Sequence, residues 1–159
     1  MNREHHYKAR LVWDGNRGQG TPNYTSYGRE YRVLIGGKPE LRGSADASFR
    51  GDAATHNPED LFVAAISSCH MLSYLALCAR EGLSVVAYED EAGGIMREDG
   101  KGGGRFEEVV LHPRVTIRSA SLRDRALELH ERAHETCFIA NSCSVPIHHE
   151  AIVEIADEP

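Results

Sequence analysis

The chain of 159 residues is 41% hydrophobic and 26% charged, with 18 Lys and Arg against 24 Asp and Glu and a formal net charge of -6. That length suits a single domain over residues 1–159, and a chain of this size buries roughly 70% of its unfolded surface without staples. An ordinary apolar fraction with modest charge excludes intrinsic disorder. The acidic balance, with no basic stripe to neutralise phosphates, argues against a nucleic-acid partner. Four cysteines (Cys69, Cys78, Cys137 and Cys143) are too few for a disulfide scaffold. The first residues are too polar for a signal peptide, and no run of about 18 apolar residues predicts a membrane span. The expected compartment is a reducing cytoplasm, where four thiols are core residues, metal ligands or redox groups.

Residues 5–13 read as a strand and 14–28, rich in Gly, Asn, Thr and Ser, as a loop. A second strand is predicted over 29–35, a turn over 36–39, a short third strand over 40–47 and a loop over 48–56. The first long helix starts at Asn57. Asn is a favoured N-cap, Pro58 suits the first helical position, and Glu59 and Asp60 favour the positive end of the dipole. It runs to about Glu81, with Gly82 as its stop. It is apolar on nearly every side, which predicts burial at the centre of a domain or of a dimer. A strand follows over 83–96, a Gly-rich connection over 99–104, and a strand over 105–118 in which Pro113 suggests an edge or bulge. The second helix runs from a Ser119 or Ser121 cap to about Ala140, and Ser121 with Asp124 resembles a capping box. Its apolar stripe is Leu122, Ala126, Leu129, Ala133 and Cys137. A last strand covers 145–155. This order gives the α+β class.

Cys69 interrupts the apolar run of the first helix, and Cys137 ends the stripe of the second, so both face one interior. Cys78, within Leu77-Cys78-Ala79, reads as a core residue, and nothing distinguishes Cys143. No C-x-x-C spacing supports a cysteine metal site. A nucleophilic Cys69 at mid-helix gains nothing from the helix dipole, so its activating positive group must come from a flanking segment, with an Arg as the expected residue. A competing signal is His130-Glu131-Arg132-Ala133-His134, a literal H-E-x-x-H on a predicted helix, with His148, His149 and Glu150 as candidate third ligands of a zinc hydrolase. Against it, Ala133 and Cys137 belong to the buried stripe, which turns Glu131 towards solvent. The plainer reading is a charged helix surface with His130 and His134 partly packed, and with His148 and His149 on a strand surface.

Residues Asn57-Pro58-Glu59-Asp60-Leu61 through Ser67-Ser68-Cys69 resemble the signature of the OsmC/Ohr family of thiol peroxidases, in which an N-P-E-x-L segment opens the central helix and the peroxide-attacking cysteine follows ten residues after the Glu. Cys137-Phe138-Ile139-Ala140-Asn141-Ser142 is similar to the family's second cysteine motif, and 45–52 resembles an OsmC-like branch. The resemblance implies an OsmC-like two-layer fold, with antiparallel sheets packed around a long central helix, and an intertwined homodimer with active sites at its interface. It implies reduction of organic hydroperoxides without a bound cofactor, with an external thiol or dithiol as reductant. Cys69 then resembles the peroxidatic cysteine and Cys137 the resolving one. Glu59 resembles the acidic partner of an active-site Arg, for which Arg50 and Arg29 are the candidates.

Glu59 and Cys69 lie ten residues apart, about 15 Å along one straight helix, too far for one side chain. A pocket using both therefore calls for a second copy of the chain. The implied chemistry is a Cys69 sulfenic acid followed by a Cys69–Cys137 disulfide, with Leu61, Ile66, Leu72, Phe138 and Ile139 as an apolar wall favouring organic peroxides. The alternatives are the zinc hydrolase of His130, Glu131 and His134, and a non-catalytic redox-sensing stress protein.

Overall fold

A computed structural model describes residues 3–156, which divide into two compact units meeting inside the long helix, one ending at Leu61 and the other beginning at Phe62. The first unit carries an antiparallel sheet of β1 (Arg10–Trp13), β2 (Tyr31–Leu34) and β3 (Leu41–Gly43), in that order. Beyond β3 the chain passes through a short 3-10 turn, Ala47–Phe49.

Helix α1 spans Pro58–Arg80, and both predicted ends form. The Asn57 side chain accepts a 2.8 Å hydrogen bond from the Asp60 N–H, which caps the helix. At the other end Gly82 takes a positive φ of 71°. The Leu83 N–H reaches the Cys78 carbonyl at 2.9 Å and the Gly82 N–H reaches that of Ala79 at 3.3 Å, the paired bonds of a Schellman stop.

The second unit contains the predicted segments 83–96, 105–118 and 145–155, each broken in two. The first becomes β4 (Val85–Asp90) and β5 (Gly93–Glu98); the second becomes β6 (Gly104–Leu111) and β7 (Pro113–Ile117); the third becomes β8 (Ile147–His149) and β9 (Ile152–Ile155). The halves sort into two sheets, β4-β7-β9 and β5-β6-β8. The pairs β6–β8 and β7–β9 are parallel, so these sheets are mixed where antiparallel ones were expected. Asp90 holds the breakpoint: one carboxylate oxygen accepts from the His112 N–H at 2.7 Å and the other from the Ser67 hydroxyl at 2.5 Å. Pro113 is buried and opens β7, the middle strand of its sheet, so it marks neither an edge nor a bulge. A first strand position tolerates the missing donor.

Helix α2 spans Arg123–Thr136, shorter than expected. The Ser121–Asp124 capping box does not form. Residues Ala120–Leu122 make a 3-10 turn instead, and the Ser121 hydroxyl bonds that of Ser119 at 2.9 Å. The predicted stripe is inward: Ala126, Leu129 and Ala133 are buried, with Leu122 packed at the rim. One core joins them to Tyr74, Leu77 and Cys78 of α1, Val115 and Ile117 of β7, and Val153 of β9. A second core joins Ile66 of α1 to Val109 and Leu111 of β6, with Phe62, Phe106 and Ile147 around it. Helix α1 is thus buried on one side only. Ala64, Ser68, Leu72 and Ala76, four residues apart, face outward, and Leu72 is 63% exposed. By length and composition α1 could cross a membrane, contrary to the reading of the sequence, but its inner face packs against β-strands and α2.

Candidate active site

Cys69 sits on α1 and is half-buried, while Cys137 is buried. Cys137 does not lie on the helix, as the sequence reading had it. It caps α2 in extended conformation, with φ -70° and ψ 113°. The turn after it, Ala140–Ser142, is closed by the Asn141 N–H reaching back to the Cys137 carbonyl at 3.0 Å. The two thiols are free and near enough for Cys69 to perturb Cys137. Burial, helped by the neighbouring Cys69, pushes the Cys137 thiol up to about 11. Cys137 is therefore a neutral thiol at ordinary pH, suited to attack only after its partner has been oxidised.

Cys78 is fully buried in the core, and burial raises its thiol above the usual range, as suits an inert packing residue. Cys143 is half-buried and points its thiol at the Ala140 carbonyl, 3.5 Å away. Of the expected apolar wall, Ile66 is fully buried in the core and unavailable to a substrate, whereas Phe138 is 82% exposed and Ile139 also lies at the surface.

The remaining predicted residues belong to the first unit. Arg50 has the left-handed backbone of φ 65°, a strained state for a residue with a Cβ. It is held by a tight loop: the Asp46 carboxylate accepts from the Ser48 N–H at 2.7 Å and its carbonyl from the Gly51 N–H at 3.0 Å. A Cβ on Gly51 would lie 1.6 Å from the Ala45 oxygen, so only glycine fits beside it. Arg50 is exposed, its N–H donates to the Ala47 carbonyl at 3.1 Å, and among the described residues its guanidinium makes no hydrogen bond or ion pair. Arg29 is committed. Its guanidinium lies 4.5 Å and 4.0 Å from the ring centres of Tyr24 and Tyr27 and donates to the carbonyls of both. Both arginines line one polar pocket of about 420 Å³ with Arg17, Glu30, Ser44 and Asp52. Neither forms an ion pair with Glu59 among the described residues. One Glu59 carboxylate oxygen is buried without a hydrogen-bond partner, and the Tyr31 phenol, raised first by burial and then by the Glu59 charge, lies near it.

The residues of the H-E-x-x-H segment are engaged separately. The His130 ring is buried, hydrogen-bonded to His70 and stacked on Tyr74 at 3.9 Å. Glu131 is exposed and meets His149 at 3.3 Å, and among the described residues no group of three His, Cys, Asp or Glu is arranged to hold an ion. His149, expected on the strand surface, is only 13% exposed in its side chain. The burial of His70 is not anticipated and that of His130 only in part, although a signal exists: His70 is four residues from both Ile66 and Tyr74, and His130 four from Ala126, which places both on inward faces.

Comparison with known proteins agrees with this architecture. An OsmC-like protein of unknown function from Vibrio cholerae O1 biovar eltor str. N16961 superposes with a TM-score of 0.83 at 32% identity, covering 94% of this chain and all of that one. An organic hydroperoxide resistance protein from Elizabethkingia anophelis, at 19% identity, shares the fold with a TM-score of 0.70 over 98% of this chain and all of that one. The uncharacterized protein YmaD of Bacillus subtilis (strain 168) is 24% identical over 98% of this chain and 99% of its own. The family model described as OsmC-like protein matches residues 51–151, the stretch that holds α1, every strand of the two mixed sheets except β9, and the two neighbouring thiols. On that match, over well more than half of its length, the chain belongs to the OsmC-like protein family.

Proposed function

We propose that the chain is a thiol-dependent peroxidase that reduces organic hydroperoxides to alcohols. The observation that carries this reading is the meeting of Cys69 and Cys137 as free thiols, one half-buried on a helix and the other buried and held neutral. The Cys69 thiolate attacks the distal peroxide oxygen: an S–O bond forms, the O–O bond breaks, and the alkoxide leaves as alcohol after taking a proton. Cys69 is then a sulfenic acid. The Cys137 thiolate attacks the Cys69 sulfur, an S–S bond forms, the S–O bond breaks, and hydroxide leaves as water. An external thiol or dithiol restores both thiols, with no resident cofactor.

Arg50 is the better candidate for the activating cation, because its guanidinium is uncommitted while that of Arg29 is held by two tyrosines. The working unit in this proposal is a homodimer. Its support is the apolar outer face of α1 with exposed Phe138, and the buried oxygen of Glu59, which lacks a donor among the described residues.

The experiment is to follow consumption of cumene hydroperoxide with a dithiol reductant in the wild type, Cys69→Ser and Cys137→Ser. Cys69→Ser should lose turnover, and Cys137→Ser should accumulate sulfenic acid. Full turnover in Cys69→Ser refutes the proposal, and disulfide formation without turnover in the wild type favours a redox sensor.

A further inference from the structure

His70 and His130, sixty positions apart in the chain, meet with His70 Nε2 at 3.0 Å from His130 Nδ1. The two residues are 1% and 0% exposed, and their rings are nearly parallel, 7° apart with centroids at 5.3 Å. One turn along both helices, the Tyr74 hydroxyl donates to the Ala126 carbonyl at 3.2 Å, and the Tyr74 ring stacks on His130. Helices α1 and α2 are therefore joined by two polar rungs, His70–His130 and Tyr74–Ala126. Cys69 adjoins the first rung on α1, and Cys137 lies at the end of α2.

Apolar residues would pack two helices together at less desolvation cost than imidazoles. What a buried hydrogen bond adds is direction, since it fixes the sliding and rotation of one helix against the other. A neutral imidazole has one donor and one acceptor nitrogen, so the rung requires one ring proton between the two. His70 is faced by His130 and His134 from α2 and by His149 from β8, and His149 is paired with Glu131. Tyr88 of β4 packs on Tyr74 behind the pair. Closing a disulfide demands Cα atoms about 4.4–6.8 Å apart and a narrow range of torsion, so a small slip between the helices separates the sulfurs.

We propose that His70 and His130 are positioning residues, whose hydrogen bond holds α1 against α2 so that the Cys69 and Cys137 sulfurs stay within reach for disulfide closure. This rests on the redox pairing of Cys69 and Cys137 proposed above, with an organic hydroperoxide as oxidant.

The test compares the wild type with the double variant His70→Leu/His130→Leu, in which both polar partners become apolar groups and folding is largely preserved, and with His70→Gln and His130→Asn, which place an amide where the bonding nitrogen lies. Stopped-flow mixing with cumene hydroperoxide separates Cys69 sulfenic acid formation from closure. Titration with reduced and oxidised glutathione gives the effective concentration of the thiol pair with no peroxide present. The Leu pair should form sulfenic acid at the wild-type rate but close about 10- to 100-fold more slowly, as expected for a displacement of the order of 1 Å, with a parallel fall in effective concentration. The amide variants should restore closure. Wild-type closure and effective concentration in the Leu pair overturn the proposal. Should the Leu pair not fold, His70→Met against His70→Gln makes the same comparison, and equal closure in those two overturns it. A wild type inert to peroxide whose thiol pairing still depends on these histidines refutes the peroxidase reading and leaves the positioning role standing.

Discussion

Acid should unfold this protein through its buried histidine pair. Burial, followed by the charges of His149 and His134, holds His70 down at about 4 from an ordinary 6.5, and burial with the neighbouring His70 and His149 holds His130 at about 3. Both folded values lie below the unfolded ones, so the unfolded chain binds more protons at any pH under 6.5. The stability contribution is fully present above pH 6.5 and is lost as the pH falls through about 4. At 1.36 kcal/mol per unit, the depression of His70 alone corresponds to about 3 kcal/mol, a large fraction of the stability of a typical domain. His130 adds to this, less than independently, because the two rings repel one another once charged. Urea denaturation of the wild type and of His70→Leu/His130→Leu at several values between pH 7.5 and 4 measures the difference. The wild type should lose at least about 3 kcal/mol more than the Leu pair over that interval. Parallel stability curves for the two proteins would refute the reasoning, because they would mean that the imidazoles are not held neutral by the fold.

Three further outcomes are expected. Closure of the Cys69–Cys137 disulfide should accelerate as the pH rises from 6 to 9, because burial raises the Cys137 thiol and keeps the attacking thiolate scarce; a flat profile in single-turnover kinetics contradicts the resolving role. Arg50→Gly should raise thermal stability by about 1 kcal/mol by relieving the left-handed backbone, while turnover with organic hydroperoxides is lost; calorimetry and the peroxide assay read the two effects separately. Leu72→Glu alters an exposed side chain of the single chain and should leave the helical circular dichroism unchanged, yet convert the proposed dimer to a monomer in sedimentation analysis.

Helix α1 was legible from residue to residue. Asn57, Pro58 and Gly82 act through backbone groups within a few positions, so their meaning does not depend on the rest of the molecule. The extent of the three long extended segments in the second unit was legible for the same reason, as was the inward stripe of α2. The failed cap at Ser121 shows the limit even of local signals, since a hydroxyl neighbour at Ser119 took the bond that the helix end would have used.

What only the tertiary structure decided are the non-local pairings. Two of the three breaks that sort the strands into mixed sheets, β4/β5 and β6/β7, are tied together by Asp90 bonding Ser67 and His112, residues far apart in sequence. The H-E-x-x-H pattern could not announce that His130 faces His70 and Tyr74, because a spacing defines which residues share a helix face and not what that face meets. The sequence by itself determined the ends of α1, the α+β order and the two cysteine positions, all set by short-range backbone chemistry. The meeting of the thiols, the burial of the histidines and the isolation of Glu59 depend on contacts that exist only once distant segments have packed.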